Sequence, residues 1–491
     1  MRIPVATWRV QFTKDFRFED ARRLVPYLHR LGVSHIYASP IFAARPGSTH
    51  GYDVTDPTRI NDLLGGREAF AALADELKAH DMGIVLDIVP NHMAAHADNP
   101  WWMDVLENGP ASRYANFFGI NWNIVAEERG ARIIIPTLGS PYGEVLDRGE
   151  LQLALEERGF RIRYHENRFP VGVATWAQVL SLRPEHRPQN NEFLLLIETV
   201  ERMPPHTAPY WEAIESGQFE LSGFRNDLWR LYNADGRVRD FVDANVRAVN
   251  GDRWRLHQLL EAQPYRLAWW RMASEKINYR RFFDVHELAG IRVDDLSVFN
   301  TTHSLVFELL DGGQADGLRI DHIDGLFDPG LYLGRLPHGS AYVVVEKILS
   351  DREPLPDWPV HGTSGYDFLG AVNAVLTDRH GFDRLRDAWA RHTGITGSRE
   401  DLEYGRKKKV IDELFAGEFR DLGAALAGLA EADLYARDLS PRDLSQALIE
   451  ITACLVVYRT YTSGDSVSER DRAYLLRAVD ESRRREPSIS A

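Results

Sequence analysis

Two carboxylates end short apolar runs in the second half of this chain. Gly317-Leu318-Arg319-Ile320 leads into Asp321, and Tyr342-Val343-Val344-Val345 leads into Glu346, 25 residues on. Each run reads as a strand buried on both faces, as in parallel sheets, whose interiors rarely carry acids. An acid at the C-terminal end of such a strand sits where α/β barrels place their chemistry, and one βα unit takes roughly 30 of the ~250 residues of an eight-fold barrel. The spacing therefore predicts neighbouring strands with Asp321 and Glu346 at one mouth. Two carboxyls facing one bond are the equipment of retaining glycosyl chemistry. Arg319 and Asp321, two apart in a strand, share a side. A fixed positive charge lowers a carboxylate's pKa, which predicts an ionised nucleophile at Asp321. Glu346 has no arginine two residues away, so it is expected to hold its proton longer and act as the acid. The plainer alternative for Arg319-x-Asp321 is a salt bridge at a strand end.

Asp87-Ile88-Val89-Pro90-Asn91-His92 repeats the pattern: an acid inside an apolar strand, with Asn91 and His92 just beyond it. These side chains can bond sugar hydroxyls, or satisfy the backbone of a strand-end turn. An Asp-Asn-His set could hold a cation, but the hydrogen-bonding reading is preferred, and neither metal nor cofactor is expected. The stretch Gly47-Ser48-Thr49-His50-Gly51-Tyr52-Asp53-Val54-Thr55-Asp56-Pro57 reads as a long loop. Tyr52 could stack on a sugar ring while His50 and the acids hold its hydroxyls, or the stretch is an Asx-rich turn. Of the 12 tryptophans, Trp101, Trp102, Trp122, Trp269, Trp270 and Trp358 lie near expected loops or helix starts. One or two could form a sugar platform; most tryptophans are core. No phosphate loop, dinucleotide fingerprint, zinc spacing or serine triad is present.

Elements able to position these residues follow from periodicity. Residues 5–12, 33–38 and 83–89 read as strands, with helices over 18–31 and 70–80 between them, a βαβαβ pattern that predicts a parallel sheet or barrel. The pattern stops after Asp87. Residues 97–200 are mixed, with strand-like pieces at 151–155 and 193–197, and residues 205–288 look helical. Strands resume at 315–321, 342–346 and 360–363, with a helix at 368–376. Helical periodicity then covers 401–430, 441–461 and 470–485. The expected fold is an α/β, (β/α)8-type TIM barrel, incomplete at about six strands, with a large insertion after strand 3 and extra helical segments. Its expected divisions are 1–96 (strands 1–3), 97–300 (inserted subdomain), 301–380 (strands 4–6 with the acids) and 381–491 (helical segment). Six strands of an eight-strand plan leave two unpaired edges.

At 491 residues, 44% hydrophobic and 26% charged, the chain can bury one large core with insertions or two to three domains. A net charge of −14 argues against nucleic acid or an anionic membrane as partner. One cysteine, Cys454, permits no internal disulfide. The first residues lack an apolar signal core, and no apolar run approaches the ~18 residues of a membrane span. A cytoplasmic protein is expected.

Together these residues resemble the α-amylase superfamily, glycoside hydrolase family 13. Its first region is matched by Asp87, Asn91 and His92, its second by Arg319 and Asp321, its third by Glu346. Closer resemblance to one subgroup lies in Thr7-Trp8-Arg9-Val10-Gln11, Ala44 through Asp53, Asn278-Tyr279-Arg280-Arg281-Phe282-Phe283-Asp284, Gly317 through Leu326, Val345-Glu346-Lys347-Ile348-Leu349 and Gly362-Thr363-Ser364-Gly365-Tyr366-Asp367. The likeness runs to about residue 462. It implies Asp321 as nucleophile and Glu346 as acid/base. It further implies Arg319, His92, Tyr52, Asp87, Asn91, His50 and His322 as substrate-binding residues, with Asp87 supporting Arg319. The implied reaction turns the reducing-end α-1,4 linkage of a maltodextrin into an α,α-1,1 linkage. Alternatives with the same acids are an α-glucan hydrolase or 4-α-glucanotransferase; an inactive fragment or non-catalytic glucan binder is a third.

Two departures stand out. The superfamily's usual histidine four residues after the nucleophile is Gly325 here, with His322 directly after Asp321, as in the subgroup. The fourth region, a His-Asp pair carrying a third carboxylate, has no match, since no histidine follows His392 and the one His-Asp pair, His80-Asp81, precedes strand three. The chain is therefore expected to correspond to the N-terminal two-thirds of such an enzyme, with a second chain as a candidate source of the missing strands and third carboxylate.

Overall fold

The structure is a computed structural model describing residues 2–122, 132–204, 221–337, 339–350, 353–463 and 466–488. Two compact units emerge. One comprises Met1–Ile41, Ile60–Asn91 and Val293–Ala491, the other Phe42–Arg59 and His92–Arg292.

The first unit holds the parallel sheet. Its elements are β1 (Thr7–Val10), α1 (Phe18–Leu31), β2 (His35–Ala38), α2 (Gly66–Ala79), β3 (Gly83–Ile88), α3 (Leu296–Asp311), β4 (Gly317–Ile320), α4 (Pro329–Gly334), β5 (Tyr342–Val345) and β6 (Gly362–Thr363). The six strands lie in chain order, β1-β2-β3-β4-β5-β6, every pair parallel. This is an incomplete (β/α)8-type barrel sheet. Every residue of β3 and β4 is buried, as a strand covered on both faces requires. The helix α1 buries Phe18, Ala21, Val25 and Leu28, one stripe at helical spacing. Phe18 meets Phe12 at 4.9 Å and Phe70 of α2 at 5.4 Å, tying both helices to the sheet. Among the described residues β1 pairs only with β2, and β6 only with β5.

After β6 come α5 (Tyr366–Leu376), α6 (Arg379–Thr393), α7 (Arg399–Leu414), α8 (Ala416–Glu431), α9 (Pro441–Ala453) and α10 (Glu469–Arg485). The periodic stretch expected over 401–430 is two helices, broken at Phe415. The one expected over 441–461 stops at Ala453, and the chain beyond is irregular. Neither α5 nor α6 buries a residue. Phe368 (73%), Val375 (84%), Leu385 (67%) and Trp389 (58%) are exposed, more apolar surface than a self-contained helix layer leaves open. Among the described residues, no helix is long and apolar enough to cross a membrane.

The α3 core contains one buried histidine. His303 Nε2 lies 2.8 Å from the Tyr332 hydroxyl and Nδ1 2.9 Å from the Phe299 carbonyl. Burial pushes its pKa down to about 4, the Phe299 contact opposing. The folded state therefore keeps His303 neutral, while the unfolded chain takes up a proton below about pH 6.5. Stability is then expected to fall by roughly 3 kcal/mol as pH drops from 6.5 to 4, at about 1.4 kcal/mol per unit. Urea melts at pH 7 and 4.5 check this. His303→Gln should flatten the slope, and an unchanged slope would remove the assignment.

The second unit is built of helices and short sheets, with one parallel strand pair, Ile133–Leu138 with Tyr265–Trp269, beside antiparallel ones. The strand Val285–Gly290 pairs antiparallel with His92–Ala94 and with Arg281–Phe282, and Gln152–Glu156, Gly159–Tyr164 and Asn167–Pro170 form a three-stranded sheet. Residues 193–197, expected as strand-like, are instead inside the helix Asn191–Glu201. Asn190 caps it by accepting from the Phe193 N–H, and burial at Phe193, Leu196, Ile197 and Val200 shows the helical period that a five-residue window hides. Of the helical stretch expected over 205–288, residues 205–220 lie outside the described residues. Helices Leu221–Ala234, Gly236–Asn250 and Arg253–Glu261 follow, but Tyr265–Trp269, Arg281–Phe282 and Val285–Gly290 are strands. The unit also takes in Phe42–Arg59, which the sequence divisions left with the barrel, and it ends at Arg292 rather than 300. Arg45 holds Glu287 at 2.5 Å, which fastens this stretch to the inserted residues. The loop expected over 47–57 is partly strand, since Val54–Ile60 pairs with Phe42–Ala44.

Candidate functional site

The register of β3, β4 and β5 fixes the site. Arg319 on β4 stands opposite Asp87 on β3 and opposite Val344 on β5. Asp321 follows β4, its N–H donating to the Ile88 carbonyl at 2.9 Å, and Glu346 follows β5, its N–H donating to the Ile320 carbonyl at 2.8 Å. Both acids thus sit one residue past a strand end, on the same edge of the sheet.

A single guanidinium spans the three carboxylates. Arg319 Nη1 lies 2.7 Å from Asp87 and 2.6 Å from Asp321, and Nη2 lies 3.0 Å from Glu346. The Asp321 and Glu346 carboxyls are therefore well within a nanometre of each other. Asp87 is fully buried, whereas the Glu346 side chain keeps 23% of its surface open, so access to the cluster is from the Glu346 side. Tyr37 donates its hydroxyl to Asp87 at 2.9 Å, and Arg9 lies 3.9 Å from the same carboxylate and over the Tyr37 ring. Tyr366, at the start of α5, reaches Glu346 at 3.4 Å.

The electrostatics reverse the expectation for Asp321. Burial drives its pKa up, the Glu346 and Asp87 charges add to that, and Arg319, despite its contact, does not cancel them. One cation among three enclosed carboxylates leaves excess negative charge, and a retained proton relieves it. Burial acts to lower the Arg319 pKa, but Asp87, Asp321 and Glu346 outweigh it and raise it. Glu346 has no arginine two residues away, as the sequence shows, but Arg319 reaches it from the adjacent strand, a neighbour that spacing along one strand does not reveal.

His322 adopts a left-handed backbone (φ 45°), and its N–H donates to Glu346 Oε2 at 2.9 Å. Left-handed geometry is costly for any residue with a Cβ, roughly 1–2 kcal/mol, so the turn must be held by its surroundings. At position 325 any Cβ would lie 2.2 Å from the His322 ring and 2.6 Å from Asn91 Oδ1. Glycine there leaves room for the His322 and Asn91 side chains.

Of the nine residues singled out from the sequence, Asp87, Asn91, Arg319, Asp321, His322 and Glu346 belong to the first unit. His50, Tyr52 and His92 belong to the second. There the His50 and Tyr52 rings stack at 6.0 Å, and buried His92 packs on Phe282 at 4.4 Å. Trp101, Trp102 and Trp176 are core, while Trp270 is 51% exposed. Sequence reasoning gave Tyr37, Tyr366, Asp324 and Lys347 no role. For Tyr37 the signal existed: an acid buried inside β3 needs partners from its neighbours, and Tyr37 is on β2 opposite Val85, two residues from Asp87.

Residues 22–144 match the family model of the alpha-amylase catalytic domain. A solved maltooligosyltrehalose synthase from Arthrobacter ramosus superposes with a TM-score of 0.73 at 31% identity, covering 99% of this chain and 51% of that one. This chain is similar to maltooligosyl trehalose synthases over about half of their length. A Mycobacterium tuberculosis protein provisionally named as such is 33% identical over 453 residues, 88% of this chain and 46% of that protein. An intracellular maltogenic amylase of Bacillus subtilis is 42% identical over 110 residues, 22% of this chain and 18% of that one. The chain thus spans about half the length of these synthase relatives, not the two-thirds expected.

Proposed function

We propose that this chain carries the nucleophile and the acid/base of a maltodextrin-rearranging site whose product is maltooligosyl trehalose. Asp321 attacks the anomeric carbon at the reducing-end linkage while Glu346 gives its proton to the leaving oxygen. Glu346 then takes the proton from the anomeric hydroxyl of the released glucose, which displaces Asp321 and forms the α,α-1,1 bond. Arg319 orients both acids, with Asp87 and Tyr37 steadying Arg319 from the neighbouring strands. We assign His92, Tyr52, His50, Asn91 and His322 to sugar contact. The observation carrying this reading is the single buried guanidinium shared by Asp87, Asp321 and Glu346 at the ends of three adjacent parallel strands. The names of the relatives support the choice of substrate.

A second polypeptide completing the barrel belongs to the same proposal. It rests on the one-sided pairing of β1 and β6 and on the bare apolar surfaces of α5 and α6. We place the protein in the cytoplasm, where a single cysteine suits a reducing environment.

Incubation with maltopentaose, alone and with a polypeptide corresponding to the remaining length of the relatives, tests the reading. Reducing ends should vanish without free glucose. Accumulating glucose would instead make the chain a glucan hydrolase. Glu346→Gln should lower the rate by roughly 10²–10⁴-fold, the usual span of general acid catalysis, and an unchanged rate would remove Glu346 from the mechanism.

A further inference from the structure

The irregular segment after α9 returns to the site. Arg459 Nη1 donates to the carbonyls of Asp324 (3.0 Å) and Leu326 (2.5 Å), and Nη2 to that of Phe327 (3.3 Å). The Tyr461 hydroxyl donates to Asp324 Oδ1. Asp324 Oδ2 lies 3.1 Å from Lys347 Nζ, the residue after Glu346, and Lys347 is fully buried with a second carboxylate, Glu353, at 3.1 Å. Both Lys347 contacts are charge pairs whose angles fall short of hydrogen bonding. Tyr461 is itself fixed, its N–H donating to Asp471 of α10 at 3.0 Å and its ring meeting Trp358 at 5.0 Å.

The turn these groups grip is the one that holds His322 left-handed. Gly325 N–H closes on the His322 carbonyl at 2.9 Å, and Leu326 N–H on that of Ile323 at 3.2 Å. Arg459 therefore caps the far end of a tight turn whose near end donates the His322 N–H to Glu346. Asp324 couples the turn after β4 to Lys347, two residues past the end of β5. Histidine tolerates this conformation better than most residues with a Cβ, but it remains costly, so the turn's hydrogen bonds help to hold it.

We propose that Arg459 and Tyr461 are positioning residues: they lock the 322–327 turn so that the His322 N–H holds the Glu346 carboxyl where it can protonate the leaving oxygen. The proposal rests on Glu346 acting as acid/base, and its test separates the two. In maltopentaose the C1–O bond breaks with the electron pair going to oxygen, which takes the Glu346 proton. In α-maltosyl fluoride Asp321 bonds to C1 as the C1–F bond breaks, and fluoride departs as the anion with little need of a proton; added glucose then takes the maltosyl group from Asp321, its anomeric hydroxyl losing its proton to Glu346. Tyr461→Phe, which removes one hydroxyl and keeps the ring, should reduce kcat on maltopentaose by about ten-fold or more and leave the first-turnover release of fluoride from α-maltosyl fluoride within about two-fold. Amide exchange over residues 321–327 should quicken about ten-fold, with β3 protection unchanged. Equal losses on both substrates, or unaltered exchange, would overturn the proposal. If the unsubstituted protein turns over neither substrate, the function reading fails, and the exchange comparison alone decides the positioning role. Arg459→Lys, which keeps the charge but cannot span three carbonyls, is the second variant and carries the same expectations.

Discussion

Asp321→Asn is expected to abolish maltodextrin turnover, by at least about 10⁴-fold, because an amide cannot form the glycosyl ester on which a retaining displacement depends. The fold should survive. An asparagine oxygen can still accept from Arg319 Nη1, which now sits 2.6 Å from the carboxylate. Stability gives a second readout. Burial raises the Asp321 pKa in the folded state, so the folded protein binds this proton more tightly than the unfolded chain. The resulting penalty is present above the folded pKa and disappears below the unfolded value near 3.9. Asp321→Asn should therefore be more stable than the parent at pH 8, with the advantage fading towards pH 4. Kinetics on maltopentaose and urea melts at the two pH values measure both effects. Turnover within ten-fold of the parent would end the nucleophile assignment. The same shift predicts that the parent's kcat/KM rises with pH at values above those of an ordinary aspartate.

The second large effect belongs to Arg319. Arg319→Met fills the space but leaves Asp87, Asp321 and Glu346 without their shared cation, and uncompensated buried charge of this kind costs about 3–5 kcal/mol. The loss should depend on pH in a definite direction. Without the guanidinium the Asp321 carboxyl, already pushed up by burial, favours its proton further, so the variant gains stability relative to the parent as pH falls. A gap between parent and variant that is wide at pH 8 and narrow at pH 5 is the expected pattern. A gap independent of pH would mean that packing rather than charge governs the site. Turnover should be lost with the cation, since both acids then lack the group that orients them.

The sequence alone determined the periodicities and the chemistry-bearing positions. Strand-and-helix alternation is written locally, and the apolar stripe Phe18, Ala21, Val25, Leu28 defines its helix without outside help. The acids ending β4 and β5 were legible because a carboxylate is costly to enclose at the edge of a buried apolar strand and rarely sits there without a chemical role. Their spacing set them on neighbouring strands. Register and enclosure were not legible. Arg319 joins Asp87 on one side and Glu346 on the other because three strands align across the sheet, and Asp321 is pushed up rather than down because burial, with the Glu346 and Asp87 charges added, outweighs Arg319. The same holds for Arg459 and Tyr461, which sit more than 130 residues from the turn they grip. Periodicity is a property of adjacent residues, whereas charge balance and hydrogen-bond supply depend on which distant segments the fold brings within a few ångströms.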